Sequence, residues 1–436
     1  MKHRIVAIFF IIVFFSTGIN AQESLSLTQA VEIALKNNYS IQVAQNECLQ
    51  QANNNVVGNA GMLPTIQANL MQDNTVTDTK QKFLSGANND KNGAKAKQFN
   101  AGVELGWTLF DGLKMLASKS KLSENELVAK YKFKQQVEQV IGKVYKAYFD
   151  LVQAEQLLKI VENSLVISDS RRSLCLSKYN IGKASKSEYL SSQVDYNTDK
   201  MQLLRQQVAV KNAQIALNQI LSRDLTISLT TNFIYQKKAL LNTDSLLNLV
   251  QTKNSTLAML KSANRSLQFA YNETKSERYP SLQFKTGYNF SNTTSEAGFL
   301  QSSQNAGLHY GASIGFNLYN GGSLNRRLKN NQLQLKSAEL NYKDSSLKIV
   351  QLLKQQMNQY EMALQLVAME TENADVANSN FLIAKIQFEA GVYNALEFRQ
   401  AQLNLLQAQT RLLSVKNELE LAESELLKMV GAFSNL

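Results

Sequence analysis

The sequence predicts a mixed α and β protein, mainly α, in which long antiparallel helical hairpins are combined with four β-strands per chain. Three observations predict this fold class. The chain has only two prolines in 436 residues, it repeats itself once along its length, and four segments alternate apolar and polar residues. Because proline ends or kinks a helix, its rarity permits long uninterrupted helices, and a composition rich in Leu, Ala, Gln, Lys and Glu favours them.

The first residues have the composition of a secretory signal peptide. Lys2 and Arg4 precede an apolar run over residues 5–15, and small and polar residues follow up to Ala21, after which we expect cleavage. The run is shorter than the roughly 20 apolar residues that a membrane-spanning helix needs, which makes a membrane anchor the less favoured alternative. We therefore expect residues 1–21 to be removed on export.

The composition argues against several functional classes. The formal net charge is +11, but basic and acidic residues interleave along helical stretches, which favours a solvated surface over a nucleic-acid site. Beyond residue 21 the chain has one histidine, His309. A single histidine leaves few possibilities for a Ser-His-Asp triad or a histidine-based metal site. We therefore expect no enzyme, no cofactor and no metal site. Cys48 and Cys175 lie far apart in sequence, and a disulfide between them stays open.

The chain is two copies of one unit. Pro64 and Pro280 stand 216 residues apart, and later segments match at an offset of 209. The later pairs are Leu109–Gly112 with Leu318–Gly321, and Tyr179–Gly182 with Phe388–Gly391. The difference of seven lies between the proline and the first glycine turn. Each copy is therefore predicted to run helix, proline, strand, loop, strand, glycine turn, long helix, glycine turn, long helix.

Four segments have the period-two alternation of β-strands. In the second of them Val103, Leu105 and Trp107 lie on one parity, and Glu104 and Gly106 lie on the other. The four segments are 65–77, where the pattern fades, 101–109, 281–290 and 308–318. Alternation of this kind predicts strands with one apolar and one polar face.

Such strands fit either a soluble sheet or a membrane barrel. Their length, near the roughly 9–11 residues of a tilted membrane strand, and the polar residues on one parity favour the barrel. Because four strands cannot enclose a lumen, we expect three chains to share a twelve-stranded transmembrane β-barrel. Polar loops predicted at 79–98 and 293–307 would face the outside of the cell, and Trp107 and Phe110 would lie in an aromatic belt at the other end.

The helical segments are unusually long. Residues 113–179 contain no proline and a single glycine, Gly142, so a straight helix would reach roughly 100 Å at about 1.5 Å per residue. After Gly182 and Gly391, leucines and other apolar residues recur at spacings of three and four. This pattern predicts packing against partner helices along the full length, which is compatible with the wall of a tunnel. The polar segment 222–242, with a short strand-like stretch, is predicted to be a connector.

Together these segments resemble the outer-membrane efflux proteins of the TolC family, and the resemblance covers essentially the whole mature chain. The matching segments are Leu25–Asn38, Met62–Pro64, Leu109–Gly112, Tyr179–Leu190, Arg278–Pro280, Leu318–Gly322 and Phe388–Phe398. Each segment alone is weak evidence for the family, but together the segments follow the family's order in a duplicated chain.

The resemblance implies a homotrimer with a twelve-stranded barrel in the outer membrane and a trimeric α-barrel of helical hairpins, a twelve-helix tunnel, in the periplasm. It also implies the outer-membrane channel component of a tripartite efflux pump or a type I secretion system. Such a channel is a passive conduit that opens when an inner-membrane pump of the RND, ABC or MFS type and its periplasmic adaptor, a membrane fusion protein, dock. The implied surroundings are outer-membrane lipid, with no nucleic acid.

The resemblance also implies candidate site residues at the tunnel mouth. Members of the family commonly have an acid six residues after each tip glycine, and the second of these contributes to a constriction. The matching residues here are Glu188 and Glu397, whereas Gln400 replaces a second acid found in some relatives. For Glu397 a helix-start carboxylate stabilised by the helix dipole stays open as an alternative.

Two further groups of residues complete the candidate sites. The turns Ile181, Gly182, Gly391 and Val392 are candidate adaptor contacts. The predicted structural residues at the barrel junction are Pro64, Pro280, Phe110, Gly112 and Gly321.

These patterns predict eight segments. They are a signal peptide at 1–21, a leading helix at 22–63, a β-hairpin at 64–110, a long helical hairpin at 111–221, the connector at 222–242, a second leading helix at 243–279, a second β-hairpin at 280–319 and a second long hairpin at 320–431. An alternative function is a periplasmic coiled-coil adaptor or scaffold of an envelope complex. Salt should wash such a protein off membranes, whereas a channel should need detergent.

Overall fold

The computed structural model describes residues 23–435, so the predicted signal peptide lies outside the described residues. The chain forms two compact units. The tip unit comprises residues 23–39, 139–241 and 355–428, and the sheet unit comprises residues 40–138, 242–354 and 429–435.

The protein is mainly helical, as predicted. In chain order the elements are β1 (Glu23–Leu25), α1 (Leu27–Asn37), α2 (Tyr39–Asn54), β2 (Thr65–Lys82), β3 (Asn88–Phe110), α3 (Lys114–Asn180), α4 (Lys186–Ile220), β4 (Leu229–Thr231), α5 (Thr243–Lys253), α6 (Ser255–Ser276), β5 (Ser281–Ser295), β6 (Ser302–Gly315), α7 (Ser323–Glu389), α8 (Ala395–Met429) and a short 3-10 helix (Ala432–Asn435). Within the described part of the chain, no helix has both the length and the hydropathy needed to cross a membrane.

The duplication is visible in the lengths of the helices. Helices α3 and α7 each contain 67 residues, and α4 and α8 each contain 35. Both pairs start at an offset of 209, whereas β2 and β5 start 216 residues apart. The repeat predicted from the sequence is therefore confirmed, and the seven additional residues of the first copy lie in its strand hairpin.

The helix that leads into each strand hairpin differs from the prediction, because a break divides it in two. The breaks fall at Asn38 and Asn254, whose backbones are extended with ψ 121°. Asn254 accepts hydrogen bonds from the N–H groups of Thr256 and Leu257, and so caps α6. Asn38 donates from Nδ2 to the carbonyl of Ile220 at 2.8 Å. Asparagine side chains compete in this way with helical hydrogen bonding, which apolar periodicity does not reveal.

The sheet unit contains one antiparallel four-stranded sheet in the order β2-β3-β5-β6. The long loops predicted at 79–98 and 293–307 are wrong, because most of these residues continue the strands. The actual connections are 83–87 and 296–301. Residues 78–95 are predominantly polar, and most of their side chains are exposed, so backbone pairing extends the hairpin where no apolar alternation marks it.

In the tip unit the connector is anchored by a small parallel sheet. Strand β1 pairs with β4, which lies within residues 222–242. Tyr148 of α3 donates from its hydroxyl to the carbonyl of Leu25 at 3.0 Å. The ring of Phe233 meets the ring of Phe149 edge-on, with centroids 4.9 Å apart. The hydrogen-bonded buried hydroxyl and the edge-to-face ring contact fix the connector against the long helix.

Candidate functional site

The four-stranded sheet has one apolar face. In one row of the register Ala68, Val103, Tyr288 and Leu308 lie side by side across the four strands. Exposed apolar side chains on this face include Ile66, Leu70, Val103, Trp107, Tyr288, Leu308, Tyr310 and Ile314. A contiguous exposed apolar surface that crosses a whole sheet needs a cover of lipid or protein.

The opposite face of the sheet is polar. It contains an ion pair in which Lys285 Nζ lies 3.6 Å from Glu104 Oε1. Asn289 Nδ2 lies 3.5 Å from His309 Nδ1. The alternation of the sequence therefore separates the side chains of these strands by face.

The junctions between sheet and long helices are built alike in both copies. The carboxylate of Asp111 accepts a hydrogen bond from the N–H of Met115 at 3.0 Å. At the matching place Asn320 Oδ1 accepts from the N–H of Leu324 at 3.4 Å. These are the polar residues of the Phe-Asp-Gly and Tyr-Asn-Gly segments. Their side chains satisfy N–H groups that the first helical turn leaves without intrahelical partners.

The five predicted junction residues lie at strand ends or at turns into helices. Pro64 and Pro280 immediately precede the first residues of β2 and β5, and Phe110 is the last residue of β3. Gly112 and Gly321 have positive φ angles of 71° and 64°. Proline at the start of a strand removes no ladder hydrogen bond, and glycine adopts positive φ without strain.

Replacing Gly112 by alanine is expected to destabilise the sheet unit by about 2–4 kcal/mol. A Cβ at this position would lie 2.5 Å from the carbonyl oxygen of Ser276 and 2.7 Å from Cβ of Tyr279. Gly321→Ala is a matched control, because it has the same backbone strain but nothing within 4 Å of the added atom. Thermal unfolding of the detergent-purified variants measures both losses. Equal losses would show that the collision at Gly112 has no cost.

Both hairpin tips in the tip unit end a long helix at a glycine. Gly182 has φ 73° and Gly391 has φ 82°. In each turn the N–H after the glycine donates to the carbonyl five residues earlier, at 2.7 Å in the first tip and 2.8 Å in the second. This is the Schellman arrangement, which requires the left-handed backbone. Ile181 and Val392, next to the two glycines, are 67% and 72% exposed.

Glu397 forms a capping box with Asn394 at the start of α8. Its Oε2 accepts from the backbone N–H of Asn394 at 2.9 Å, and Asn394 Oδ1 accepts from the N–H of Glu397 at 2.9 Å. One turn later Gln400 donates from Nε2 to Asn404 Oδ1 at 2.9 Å. The carboxylate therefore has a local structural role.

Glu188 has the same position at the start of α4. Its N–H donates to Ser185 Oγ at 3.1 Å. Glu188 and Glu397 thus lie in the first turns of different helices, where a carboxylate also interacts favourably with the helix dipole.

A buried polar network near the tips was not predicted from the sequence. Arg399 of α8 donates to both carboxylate oxygens of Asp199 in α4, at 2.7 and 2.8 Å. Ser168 of α3 also donates to Asp199. Gln402 Nε2 donates to Ser168 Oγ at 2.8 Å and to the carbonyl of Ser164 at 2.9 Å. Three helices are therefore joined through one buried guanidinium.

A second arginine extends this network toward the second tip. Arg171 of α3, almost fully buried, donates to Asp195 Oδ2 at 2.6 Å and to the carbonyl of Ala395 at 3.4 Å. Burial lowers the pKa of the Arg171 guanidinium. Two arginines and two aspartates compensate each other's charge, as buried ions require.

Next to this network lies an apolar core between α3, α7 and α8. The rings of Phe388 and Phe398 are stacked with centroids 4.9 Å apart. Cys175 is fully buried in the same cluster, and burial raises the pKa of its thiol. Cys48 and Cys175 are both free, so the disulfide left open by the sequence is absent from the described structure.

Helices α4 and α7 of the tip unit each present an exposed apolar stripe with a seven-residue period. The α4 stripe is Val194, Met201, Val208 and Ile215, and the α7 stripe is Met362, Met369, Val376 and Ile383. All eight side chains are between 45% and 64% exposed. Sustained apolar residues every seven positions are typical of a helix that packs against another helix. The α4 stripe was predicted as helix packing, but the described chain supplies it with no cover.

The chain matches the protein family described as "Outer membrane efflux protein" over residues 30–223 and 246–432. No curated protein sequence matches it significantly.

Several solved structures share the fold. The CmeC outer membrane channel of Campylobacter jejuni superposes with a TM-score of 0.77 at 15% identity, covering 93% of this chain and 85% of that chain. For the outer membrane protein VceC of Vibrio cholerae the TM-score is 0.75 at 14% identity, with 93% and 96% covered. For the open state of the MtrE outer membrane channel of Neisseria gonorrhoeae it is 0.73 at 15% identity, with 93% and 88% covered.

Proposed function

Because this chain belongs to the outer membrane efflux protein family, we propose that it is the outer-membrane channel of a tripartite efflux pump or type I secretion system. It acts as a passive conduit, and docking of a pump and its adaptor opens it. The membrane is the outer membrane, and the helical tunnel extends into the periplasm. The protein is not an enzyme.

The observation that carries this proposal is the two-faced sheet. Its apolar face exposes side chains such as Ile66, Leu308 and Ile314, each more than two-thirds exposed. Acyl chains of a bilayer cover such a face, while the polar face with Glu104 and Lys285 lines water. Strands β2 and β6 are the edges of the sheet. In a membrane those edges have to pair with other chains, because unpaired backbone groups are costly in lipid.

Three copies close this sheet into a barrel of twelve strands. The apolar stripes on α4 and α7 support association between protomers in the tip unit as well. Both stripes extend over 22 residues, from Val194 to Ile215 and from Met362 to Ile383, which corresponds to roughly 30 Å of helix. The α4 stripe of one protomer packs against the α7 stripe of the next protomer. Four helices from each of three chains then form the tunnel wall.

The partners are a periplasmic adaptor and an inner-membrane pump of the RND, ABC or MFS type. The exposed Ile181 and Val392 at the hairpin tips are the adaptor contacts, because they are apolar side chains displayed next to rigid glycine turns. Glu188, Glu397 and Gln400 lie within two helical turns of the tips, at the mouth of the proposed tunnel.

Planar-bilayer conductance of the detergent-purified protein, with native mass, tests the proposal. We expect discrete channels from a trimer, and extraction from membranes should need detergent. A protein that salt washes off membranes, is stable in another stoichiometry and passes no current is instead a periplasmic adaptor or scaffold.

Two substitutions at Glu397 separate its charge from its capping role. Glu397→Gln removes the charge but keeps an acceptor for the N–H of Asn394, and Glu397→Ala removes both. If three Glu397 carboxylates form a constriction, both variants lose cation preference in bilayers, because the fixed negative charge at the mouth is gone. Only the alanine variant should also lose about 1 kcal/mol of helix stability, measured by thermal unfolding. Unchanged ion selectivity in both variants would limit Glu397 to the cap.

A further inference from the structure

The polar face of the sheet contains a checkerboard of glycines and large polar side chains. Across β2, β3, β5 and β6, three consecutive rows read Asn69, Gly102, Asn289, Gly307; then Gln67, Glu104, Gly287, His309; then Thr65, Gly106, Lys285, Gly311. Glu104, Lys285, Asn289 and His309, here named the polar girdle, therefore each have a glycine as a direct cross-strand neighbour.

Two side chains of the polar girdle occupy the space over these glycines. A Cβ at Gly102 would collide with Asn289 Oδ1, and a Cβ at Gly287 would lie 2.6 Å from the carbonyl oxygen of Val103 and 2.8 Å from His309 Cε1. Side chains in a sheet ordinarily stand perpendicular to it. Asn289 and His309 instead lie along the sheet, and the absence of a side chain at the two glycines makes this possible.

The charges of the polar girdle compensate each other. Glu104 and Lys285 are the one carboxylate and the one ammonium in the three rows, and Lys285 Nζ lies 3.6 Å from Glu104 Oε1. Their side chains are 39% and 58% exposed, so both reach the water on this face.

We propose that the polar girdle keeps the β-barrel wide and free of net fixed charge at its own level. The inference rests on the proposed channel, in which this face lines the lumen. Side chains that lie flat over glycines keep the lumen wide. The paired Glu104 and Lys285 give the polar girdle no net fixed charge, so polar solutes of either sign pass this level and it adds little selection of its own.

Breaking the charge balance tests the proposal. Lys285→Gln leaves three unpaired Glu104 carboxylates per trimer, and Glu104→Gln leaves three unpaired Lys285 ammonium groups. We expect the cation-to-anion permeability ratio to rise about two- to fivefold in the first variant and to fall about as much in the second. The double variant should return to the ratio of the unaltered protein. Lys80→Gln, which removes the same charge outside the three rows, should leave the ratio unchanged.

Substitutions of the glycines provide a second, independent test. Gly102→Ala forces Asn289 off the wall and should lower the single-channel conductance. Gly106→Ala is the matched control on the same strand and face, because its Cβ would meet only Thr65 Oγ1 at an ordinary 3.7 Å. Native mass confirms that each variant is assembled before current is recorded.

The outcomes separate this inference from the proposed function. If the unaltered protein forms trimeric channels but neither charge variant shifts the reversal potential, the polar girdle proposal is wrong and the channel stands. If the unaltered protein passes no current, the proposed function itself fails. Opposite shifts in the two charge variants, with Lys80→Gln neutral, support the polar girdle.

Discussion

Replacing Arg399 by methionine is expected to lower the free energy of unfolding by about 3–5 kcal/mol, because it leaves the carboxylate of Asp199 buried without its cation. The side chains of Arg399 and Asp199 are 10% and 9% exposed, and two hydrogen bonds join them. Methionine keeps much of the volume and the helix propensity of arginine, so the loss reports the charge.

Arg411→Met is the matched control for this substitution. Arg411 lies on the same helix and pairs with Glu370 at 3.1 Å, but its side chain is 52% exposed. An exposed pair of this kind contributes about 0–1 kcal/mol. Thermal and urea unfolding, followed by circular dichroism of the detergent-purified protein, compare the two variants. A loss at Arg399 no larger than the loss at Arg411 would contradict the prediction.

A double variant distinguishes the charge from the shape of the site. Arg399→Met combined with Asp199→Leu removes both buried charges, and it should recover part of the stability that Arg399→Met loses. No recovery would mean that the hydrogen bonds of Ser168 and Gln402, rather than an unpaired carboxylate, account for the loss.

The second large effect is expected on assembly. Met369→Glu places a carboxylate in the middle of the α7 stripe, and each of the three seams of the proposed trimer would then bury one unpaired charge. An uncompensated buried charge costs several kcal/mol. We therefore expect native mass to show protomers in place of trimers, with helical circular dichroism retained, because Met369 is 61% exposed within its own protomer.

Two further variants make this prediction specific. Thr371→Glu adds the same charge at an exposed position two residues away, on another side of the helix, and should leave the trimer intact. Met201→Lys on the α4 stripe, combined with Met369→Glu, should restore part of the trimer if the two stripes face each other. A Met369→Glu protein that remains trimeric would show that the α7 stripe is not a seam.

The sequence was sufficient for the parts of the fold that local chemistry determines. Glycine adopts the left-handed turns at Gly182 and Gly391 without strain, so the hairpin tips could be placed from single residues. Alternation around Val103 located the strand and assigned its faces, because successive side chains point to opposite sides of a sheet. The duplication then transferred each assignment to the second copy.

The predicted boundaries of strands and helices were wrong where no buried face imposes an apolar pattern on the sequence. Residues 79–82 and 88–95 belong to paired strands although their side chains are mostly polar and exposed, since backbone hydrogen bonds form the ladder there without an apolar face. The breaks at Asn38 and Asn254 also escaped prediction. Asn38 donates to the carbonyl of Ile220, and Asn254 donates to the carbonyl of Met429 at 2.9 Å. The sequence alone does not indicate which asparagines make such bonds to residues far along the chain.

The start of helix α8 near Glu397 was predictable from the sequence, but the hydrogen bonds made there were not. Glu397 was singled out for the tunnel mouth with its capping role left open, and its bond to Asn394 depends on a rotamer that sequence spacing only permits. The buried pairing of Arg399 with Asp199 was missed entirely, because it joins residues 200 positions apart on helices whose rotation is set by packing. In the sequence, Arg399 has the pattern of one more polar residue on the exposed face of an amphipathic helix.

The equal lengths of the paired helices have an evolutionary consequence. Since duplication, the strand hairpins have diverged by seven residues, while α3 and α7 have kept one length and α4 and α8 another. Tolerance to insertion is thus unequally distributed along the chain. A peptide epitope inserted at 83–87 lengthens an exposed connection and leaves the pairing register of β2 and β3 unchanged. A single residue added within a long helix rotates everything beyond it by about 100° and misaligns the repeats. For engineering, the connection 83–87 of the first hairpin is therefore the part of the molecule that accepts changes in length, whereas the lengths of the long helices must be kept.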